Sequence, residues 1–234
     1  MREVIILAGG LGTRLREVVN DVPKCLAPIN GVPFLSYLIQ YLEKQKVTRF
    51  IFSIGYKGQL VEDFIALNYS YLDYSISSEK EPLGTGGAIK KALMYSKSDN
   101  VFVLNGDTFC DFNLNDFFEF HLNKKSNFSI ALYLIKDNVR YGNVLINKSG
   151  IVLDFMEKEI GNDILVNSGV YILNKNFVVE ILYNYPSCFS IETDFFQVKN
   201  RGVEIYGIEL NGEFIDIGIP EDYENFKQKM LNHG

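Results

Sequence analysis

The chain has 234 residues, 47% hydrophobic and 22% charged, a balance that suits a soluble globular protein of one domain, or one with a modest appendage. No apolar run approaches the roughly 20 residues needed to span a bilayer. The short run in MREVIILAGG is too brief for a secretory leader, so a cytoplasmic location with no membrane partner is expected. A net charge of −6 argues against a nucleic-acid partner, yet a few local cations and backbone N–H groups can still hold one triphosphate.

The first half alternates short apolar runs with amphipathic stretches, the pattern of parallel strands joined by crossover helices. Glu3–Ala8 reads as a buried strand, Phe34–Lys44 as a helix, Arg49–Ile54 as a strand and Gln59–Leu67 as a helix. Tyr71–Ser77 is a third strand, Gly86–Tyr95 a helix, and Val101–Leu104 a strand ending at Asn105-Gly106-Asp107. Leu114–Asn123 follows as a helix. The second half is richer in strands: Ser129–Ile135, Asn143–Ile146, Ile151–Phe155, Ile164–Leu173, Ile205–Leu210 and Phe214–Ile217. Short helices are expected within Asn176–Tyr183 and Glu192–Lys199, and a helix with proline in its first turn over Pro220–Leu231. The pattern describes an α/β core with a smaller β-rich lobe. Ligands of such sheets bind beyond the carboxyl ends of the strands, which directs attention to the loops after Ala8 and Leu104. The three cysteines, Cys25, Cys110 and Cys188, have neither the number nor the spacing of a disulfide framework or a metal site.

Gly9-Gly10-Leu11-Gly12-Thr13-Arg14 directly follows the first strand. Its glycines let the backbone approach a polyphosphate, and successive N–H groups make an anion-binding concavity. An ordinary tight βα turn would look the same. No Gly-Lys-Ser/Thr closes it as in a P-loop, and the third glycine of a dinucleotide fingerprint is missing.

The loop has company. LAGGLGTRL is followed by PKCLAP at 23–28, EPLGTGGA at 81–88, LNGDTF at 104–109, FMEK at 155–158, VNSGVY at 166–171 and IDIGIPEDY at 215–223. In this order, over nearly the whole chain, the motifs resemble the sugar-phosphate nucleotidyltransferase family. They are most similar to its mannose-type and heptose-type 1-phosphate guanylyltransferases. One departure is Arg16-Glu17-Val18-Val19, where the family commonly has a proline and a threonine. The resemblance implies a Rossmann-like, mostly parallel sheet flanked by helices, related to glycosyltransferase-A folds. It also implies one nucleotidyltransferase domain over 1–234, with a nucleotide-binding half to about residue 110 and a sugar-binding half from about 111. The chain ends soon after IDIGIPEDY, so a fused left-handed β-helix is not expected.

The implied reaction is displacement at phosphorus. A sugar-phosphate oxygen attacks the α-phosphorus of a nucleoside triphosphate and pyrophosphate leaves opposite, a step that needs alignment and charge neutralisation. Asp107 and Asp216 each follow an apolar strand, and by resemblance are the two carboxylates that ligate Mg²⁺; spacing alone cannot pair them, and either could be a turn residue. Arg14 and Lys24 are the cations assigned to phosphates, and with Asp107 form the catalytic set. Nucleotide contacts are expected from Leu7, Ala8, Gly9, Gly10, Gly12, Thr13, Gly84 and Thr85. Glu79 stands where relatives using thymidine or uridine triphosphates commonly carry glutamine. A carboxylate accepts hydrogen bonds and donates none, which suits the N1–H and N2–H₂ donors of guanine and favours GTP. Its bland alternative is a solvated loop charge.

Tyr141, Gly142, Glu157, Lys158 and Asn167 match sugar-binding positions of relatives, with Asp216 beside them; glycines 142 and 169 would let backbone approach the ring. Strand-edge and turn roles compete for each. His121 and His233 fall in no motif, and the aromatic pairs around Phe117–Phe120 and Phe195–Phe196 read as core packing. The implied partners are a nucleoside triphosphate and a sugar 1-phosphate; a homo-oligomer is compatible with this. Alternatives are a cytidylyl- or uridylyltransferase on another phosphorylated small molecule, or a silent regulatory homologue that binds nucleotide sugars.

Overall fold

The strand β1 (Glu3–Leu7) lies in the interior of a seven-stranded sheet because Val4, Ile5 and Ile6 are apolar on both faces. The computed structural model describes residues 1–10, 19, 21–136, 140–158, 163–198 and 202–232, without the side chains of Glu157, Lys158 and Asn232. The first half of the chain supplies a 3-10 turn at Lys24–Leu26, a small hairpin of β2 (Pro28–Ile29) and β3 (Val32–Pro33), and α1 (Phe34–Lys44). It continues through β4 (Arg49–Ile54), α2 (Gly58–Asn68), β5 (Tyr74–Ser78), α3 (Gly84–Ala92), β6 (Asn100–Asn105) and β7 (Thr108–Cys110). The second half supplies α4 (Leu114–Asn123), β8 (Phe128–Ile135), β9 (Gly142–Ile146), β10 (Val152–Lys158) and β11 (Ile164–Asn174). After these come α5 (Lys175–Leu182), a π-helical turn over Glu192–Phe196, β12 (Tyr206–Glu209), β13 (Phe214–Asp216) and α6 (Pro220–Asn232).

The sheet runs β12-β8-β11-β6-β1-β4-β5. Strands β6, β1, β4 and β5 pair in parallel, and β11 runs antiparallel to both its neighbours. Alternation along the strands sorts the core into two layers. Val4, Ile6, Phe50, Phe52, Phe102 and Leu104 face α1, α2 and α4. On the other face Ile5, Ile51, Val101 and Val103 meet α3, α5 and the buried pair Phe195 and Phe196. The two-stranded sheet of β9 and β10 forms the expected small β-rich part.

The short helix expected within Glu192–Lys199 is a π turn over Glu192–Phe196, with the Phe196 and Gln197 N–H groups bonded five residues back; Lys199 lies outside the described residues. Two differences from the sequence reading have local causes. Helix α3 begins at Gly84, not Gly86, and Gly84 takes φ +69, with Phe189 O filling the space where a Cβ would stand. Strand β5 starts only at Tyr74 because residues 69–72 close a turn, Leu72 N–H donating to Tyr69 O at 3.1 Å.

A third, smaller cluster positions the site. Ala27, Ile29, Phe34, Phe109, Ile217, Tyr223 and Phe226 bury one another, so α6, the β2/β3 hairpin and the β7/β13 pair share a core. Tyr223 Oη donates to Pro28 O at 2.6 Å, and Asn30 Nδ2 to Lys227 O at 2.8 Å.

Candidate active site

The chain leaves β1 for β4 and β5 on one side and returns to β6 on the other, so β1 and β6 flank a topological switch point. A crevice opens at the carboxyl ends of such strands. Here it is a cleft of about 390 Å³ lined by Leu7, Ala8, Gly9, Gly10, Glu79, Gly84, Thr85, Lys24 and Asp107 among others. The described residues among those expected to contact nucleotide thus meet in one place from four separate segments. Gly12, Thr13 and Arg14 lie outside the described residues. The sequence reading left out Ser53 and Asn105, which line the cleft from the ends of β4 and β6; their pairing with Leu7 in register is the signal that would have found them.

Lys24 opens the 3-10 turn after Pro23, and Ala27 N–H donates back to Lys24 O at 2.9 Å. Cys25, Leu26 and Ala27 are buried, so the turn is anchored and the lysine is the residue it holds toward the cleft. Its Nζ donates to Asp107 Oδ2 at 3.2 Å. Asp107 is placed by the tight turn from β6 to β7, in which Gly106 N–H donates to Leu7 O at 2.9 Å; a Cβ on Gly106 would lie 2.8 Å from that same oxygen.

Asp216 reaches this place through pairing rather than sequence proximity. Strand β13 runs antiparallel to β7 with Asp216 opposite Thr108, and Ile217 N–H donates to Asp107 O at 3.0 Å. Gly218 N–H donates to Asp216 Oδ1 at 2.8 Å, and a Cβ added at Gly218 would sit against Lys24 Nζ, 2.7 Å from Asp216 Oδ1 and 3.6 Å from Asp107 Oδ2. The cation and both carboxylates therefore converge on the space that the missing side chain of Gly218 leaves open. Burial and the Asp107 charge push the Asp216 carboxyl above its usual range, opposed by the Gly218 N–H and Lys24. Among the described residues no cluster of three or more His, Cys, Asp or Glu side chains is built to cage a metal. Two neighbouring carboxylates are too few to enclose a cation, a donor set that suits one keeping waters and phosphates as its remaining ligands.

In the lining of the same cleft, Glu79 is partly buried. Its N–H donates to Ile54 O at 2.9 Å, and Oε2 accepts from Leu83 N–H at 3.1 Å. Oε1 lies against Gly9 and Gly55, so close that a Cβ on Gly9 would come within 2.7 Å of it. Desolvation raises the Glu79 carboxyl above the ordinary value, with Leu83 N–H and the Lys91 charge pulling the other way. Thr85 lines the cleft, but its hydroxyl is spent: Oγ1 donates to Glu192 and accepts from Ile191 N–H at 3.0 Å.

The residues assigned to the sugar phosphate are less gathered. Tyr141 packs edge-on against Phe214, with ring centroids 5.6 Å apart. Gly142 pairs with Lys158 across β9 and β10, and its missing Cβ leaves room for Met156 O, which a side chain would meet at 2.5 Å. Gly169 has φ +73 and stands against the Asn105 side chain. Both glycines thus have a use within the fold, apart from any ring. Glu157 and Lys158 fall in β10, and their side chains lie outside the described residues. Asn167 Oδ1 accepts from Gly169 N–H at 3.0 Å, and its Nδ2 donates to Tyr171 Oη at 3.0 Å. His121 is buried between Ser129 and Asn100, a structural placement.

The sequence profile described as "Nucleotidyl transferase" matches residues 3–233. The chain belongs to the nucleotidyl transferase family. Among curated members of this family it is similar to a D-glycero-alpha-D-manno-heptose 1-phosphate guanylyltransferase of Aneurinibacillus thermoaerophilus, 43% identical over 99% of each chain. A protein of the same name from Campylobacter jejuni is 38% identical over 96% of this chain and 98% of that one. The crystal structure of HddC from Yersinia pseudotuberculosis complexed with GMP-PN superposes with a TM-score of 0.86 at 39% identity, covering 98% of this chain and all of that one. No helix among the described residues is long and apolar enough to cross a membrane.

Proposed function

We propose that the protein is a cytoplasmic sugar-1-phosphate guanylyltransferase, using GTP and D-glycero-α-D-manno-heptose 1-phosphate to make a GDP-heptose and pyrophosphate. The observation that carries this reading is the one cleft that Lys24, Asp107 and the Glu79 carboxylate line together, with Asp216 beside Asp107. The names of the relatives at 43% and 38% identity, and the GMP-PN bound to the Yersinia protein, support guanine and heptose as the substrates.

Glu79 reads the base. With Oε2 tied to Leu83 N–H, the carboxylate is held still and offers acceptors to the N1–H and N2–H₂ of guanine. Gly9, Gly10, Gly84 and Thr85 supply backbone along the triphosphate, since the Thr85 hydroxyl is already engaged. Arg14, Gly12 and Thr13 complete the loop in this proposal.

Asp107 and Asp216 would hold Mg²⁺, which when bound neutralises charge on the phosphate oxygens. Lys24 has three donor hydrogens, one of which Asp107 uses here, and it neutralises charge that develops as the sugar-phosphate oxygen attacks the α-phosphorus. No side chain forms a covalent intermediate; the work is alignment and charge balance. Tyr141, Gly142, Glu157, Lys158 and Asn167, in the half from about residue 111, contact the sugar phosphate.

The test is a matrix of the four nucleoside triphosphates against heptose, mannose and glucose 1-phosphates with magnesium, read as pyrophosphate release. GTP with the heptose phosphate should give the highest kcat/KM. A preference for UTP or CTP would overturn the base assignment.

A further inference from the structure

Glu192 belongs to none of the recurring motifs, yet its carboxylate joins the two sides of the site. Oε2 accepts from Thr85 Oγ1, at the start of α3, and from Ser190 Oγ at 2.9 Å. Oε1 accepts from Tyr171 Oη at 3.2 Å. Tyr171, fully buried on β11, in turn accepts from Asn167 Nδ2 at 3.0 Å.

The direction of this chain is fixed by chemistry. A carboxylate only accepts, and a phenol has one proton, so Tyr171 gives its proton to Glu192 and must accept from its other neighbour. The neighbour it accepts from can only be the NH₂ of Asn167. The Gly169 N–H, donating to Asn167 Oδ1, imposes the same orientation independently. A side-chain amide that could otherwise flip is thus held one way from both ends. One amide hydrogen and one carbonyl lone pair of Asn167 are left over by these bonds, a donor and an acceptor together. That pair matches the hydroxyl groups of a sugar ring, which donate and accept, rather than a phosphate, which only accepts.

We propose that Glu192, acting through Tyr171, is a positioning residue that fixes the Asn167 amide to read sugar hydroxyls. This rests on the assignment of Asn167 to the sugar-phosphate site. Because Thr85 shares the same carboxylate, the strand that meets the sugar and the loop that meets the nucleotide are held by one group.

The experiment is steady-state kinetics with GTP and D-glycero-α-D-manno-heptose 1-phosphate on Tyr171→Phe, Asn167→Ala, the double variant, Glu192→Leu and Glu192→Gln. Tyr171→Phe and Glu192→Leu should each raise KM for the sugar phosphate about five- to ten-fold, the scale of one hydrogen bond, with KM for GTP changed less than about two-fold. The double variant should match Asn167→Ala within about two-fold, because the tyrosine acts only through the asparagine. Glu192→Gln keeps an oxygen that can accept from Tyr171 and should stay within about three-fold of the parent. Multiplying effects in the double variant, or an unchanged KM in Tyr171→Phe, overturn the relay. An unchanged KM in Asn167→Ala instead overturns the sugar-site assignment beneath it. Should Glu192→Leu fail to fold, the comparison of Tyr171→Phe with the double variant still decides.

Discussion

Glu79→Gln changes one atom and should change the base. In the parent, Oε2 accepts from Leu83 N–H at 3.1 Å while Oε1 lies against Gly9 and Gly55 in the cleft. The amide of the variant keeps its oxygen toward Leu83, because an NH₂ there would leave two donors face to face. Its NH₂ therefore takes the place of Oε1 and points a donor where guanine also presents donors. A hydrogen bond to a charged acceptor is worth about 1.5–3 kcal/mol, and a guanine donor left unpaired costs about 1–3 kcal/mol more. The lower ends sum to about 2.5 kcal/mol, a fall of ~10² in kcat/KM for GTP, and the middle of the range is a fall of ~10³. Bases with an acceptor at that edge should lose less or gain. The assay is pyrophosphate release with GTP, UTP, CTP and ATP at a fixed sugar phosphate, with thermal melting to confirm folding. A fall for GTP of less than about five-fold, with the order of triphosphates unchanged, would refute base reading by Glu79.

Lys24→Met should lower kcat by ~10²–10³ at saturating substrates, on the scale of one lost charge-stabilising donor. The Lys24–Asp107 pair is partly exposed, so the same variant should move stability by no more than about 1 kcal/mol; a kcat within ten-fold of the parent contradicts the role. Asp216→Asn removes a carboxylate that the Asp107 charge opposes, so without magnesium its melting temperature should equal or exceed the parent's. The parent should gain about 2.7 kcal/mol at magnesium 100 times its Kd and the variant should not, as thermal shift would record. His121 is buried, and desolvation lowers its pKa to about 4 from an ordinary 6.5. The unfolded chain therefore binds its proton first: the stabilisation is complete above about pH 6.5 and declines by about 3 kcal/mol as pH falls toward 4. Urea midpoints measured across that window should drift less in His121→Asn than in the parent.

Elements whose apolar spacing is decided by one sheet face or one helix stripe were readable to the residue: α1, β4 and α4 begin and end where periodicity places them. Part of the cleft was readable too: strand order pointed to the loops after Ala8 and Leu104, the motif resemblance pointed to Lys24, Glu79 and Gly84, and Gly9, Lys24, Glu79, Gly84 and Asp107 line one cleft. The rest depends on contacts without a local signal. Strands β7 and β13 have three residues each, too few to show a period, and only their pairing sets Asp216 beside Asp107. Thr85 was expected as a nucleotide contact, and nothing local announces that its hydroxyl goes to Glu192, 107 residues along the chain and outside every motif. Gly142 and Gly169 were read as openings for a ring, while their bareness serves Met156 O and the Asn105 side chain.

The short ladder between β7 and β13 also makes the site a product of both halves of the chain. Asp107 stands just past β6, which pairs with β1, while Asp216 comes from β13, late in the sequence, beside the cluster of Phe34, Phe109, Tyr223 and Phe226 that α6 helps to form. A chain cut before residue 214 would therefore lack one of the two carboxylates, however well the strands around β1 form.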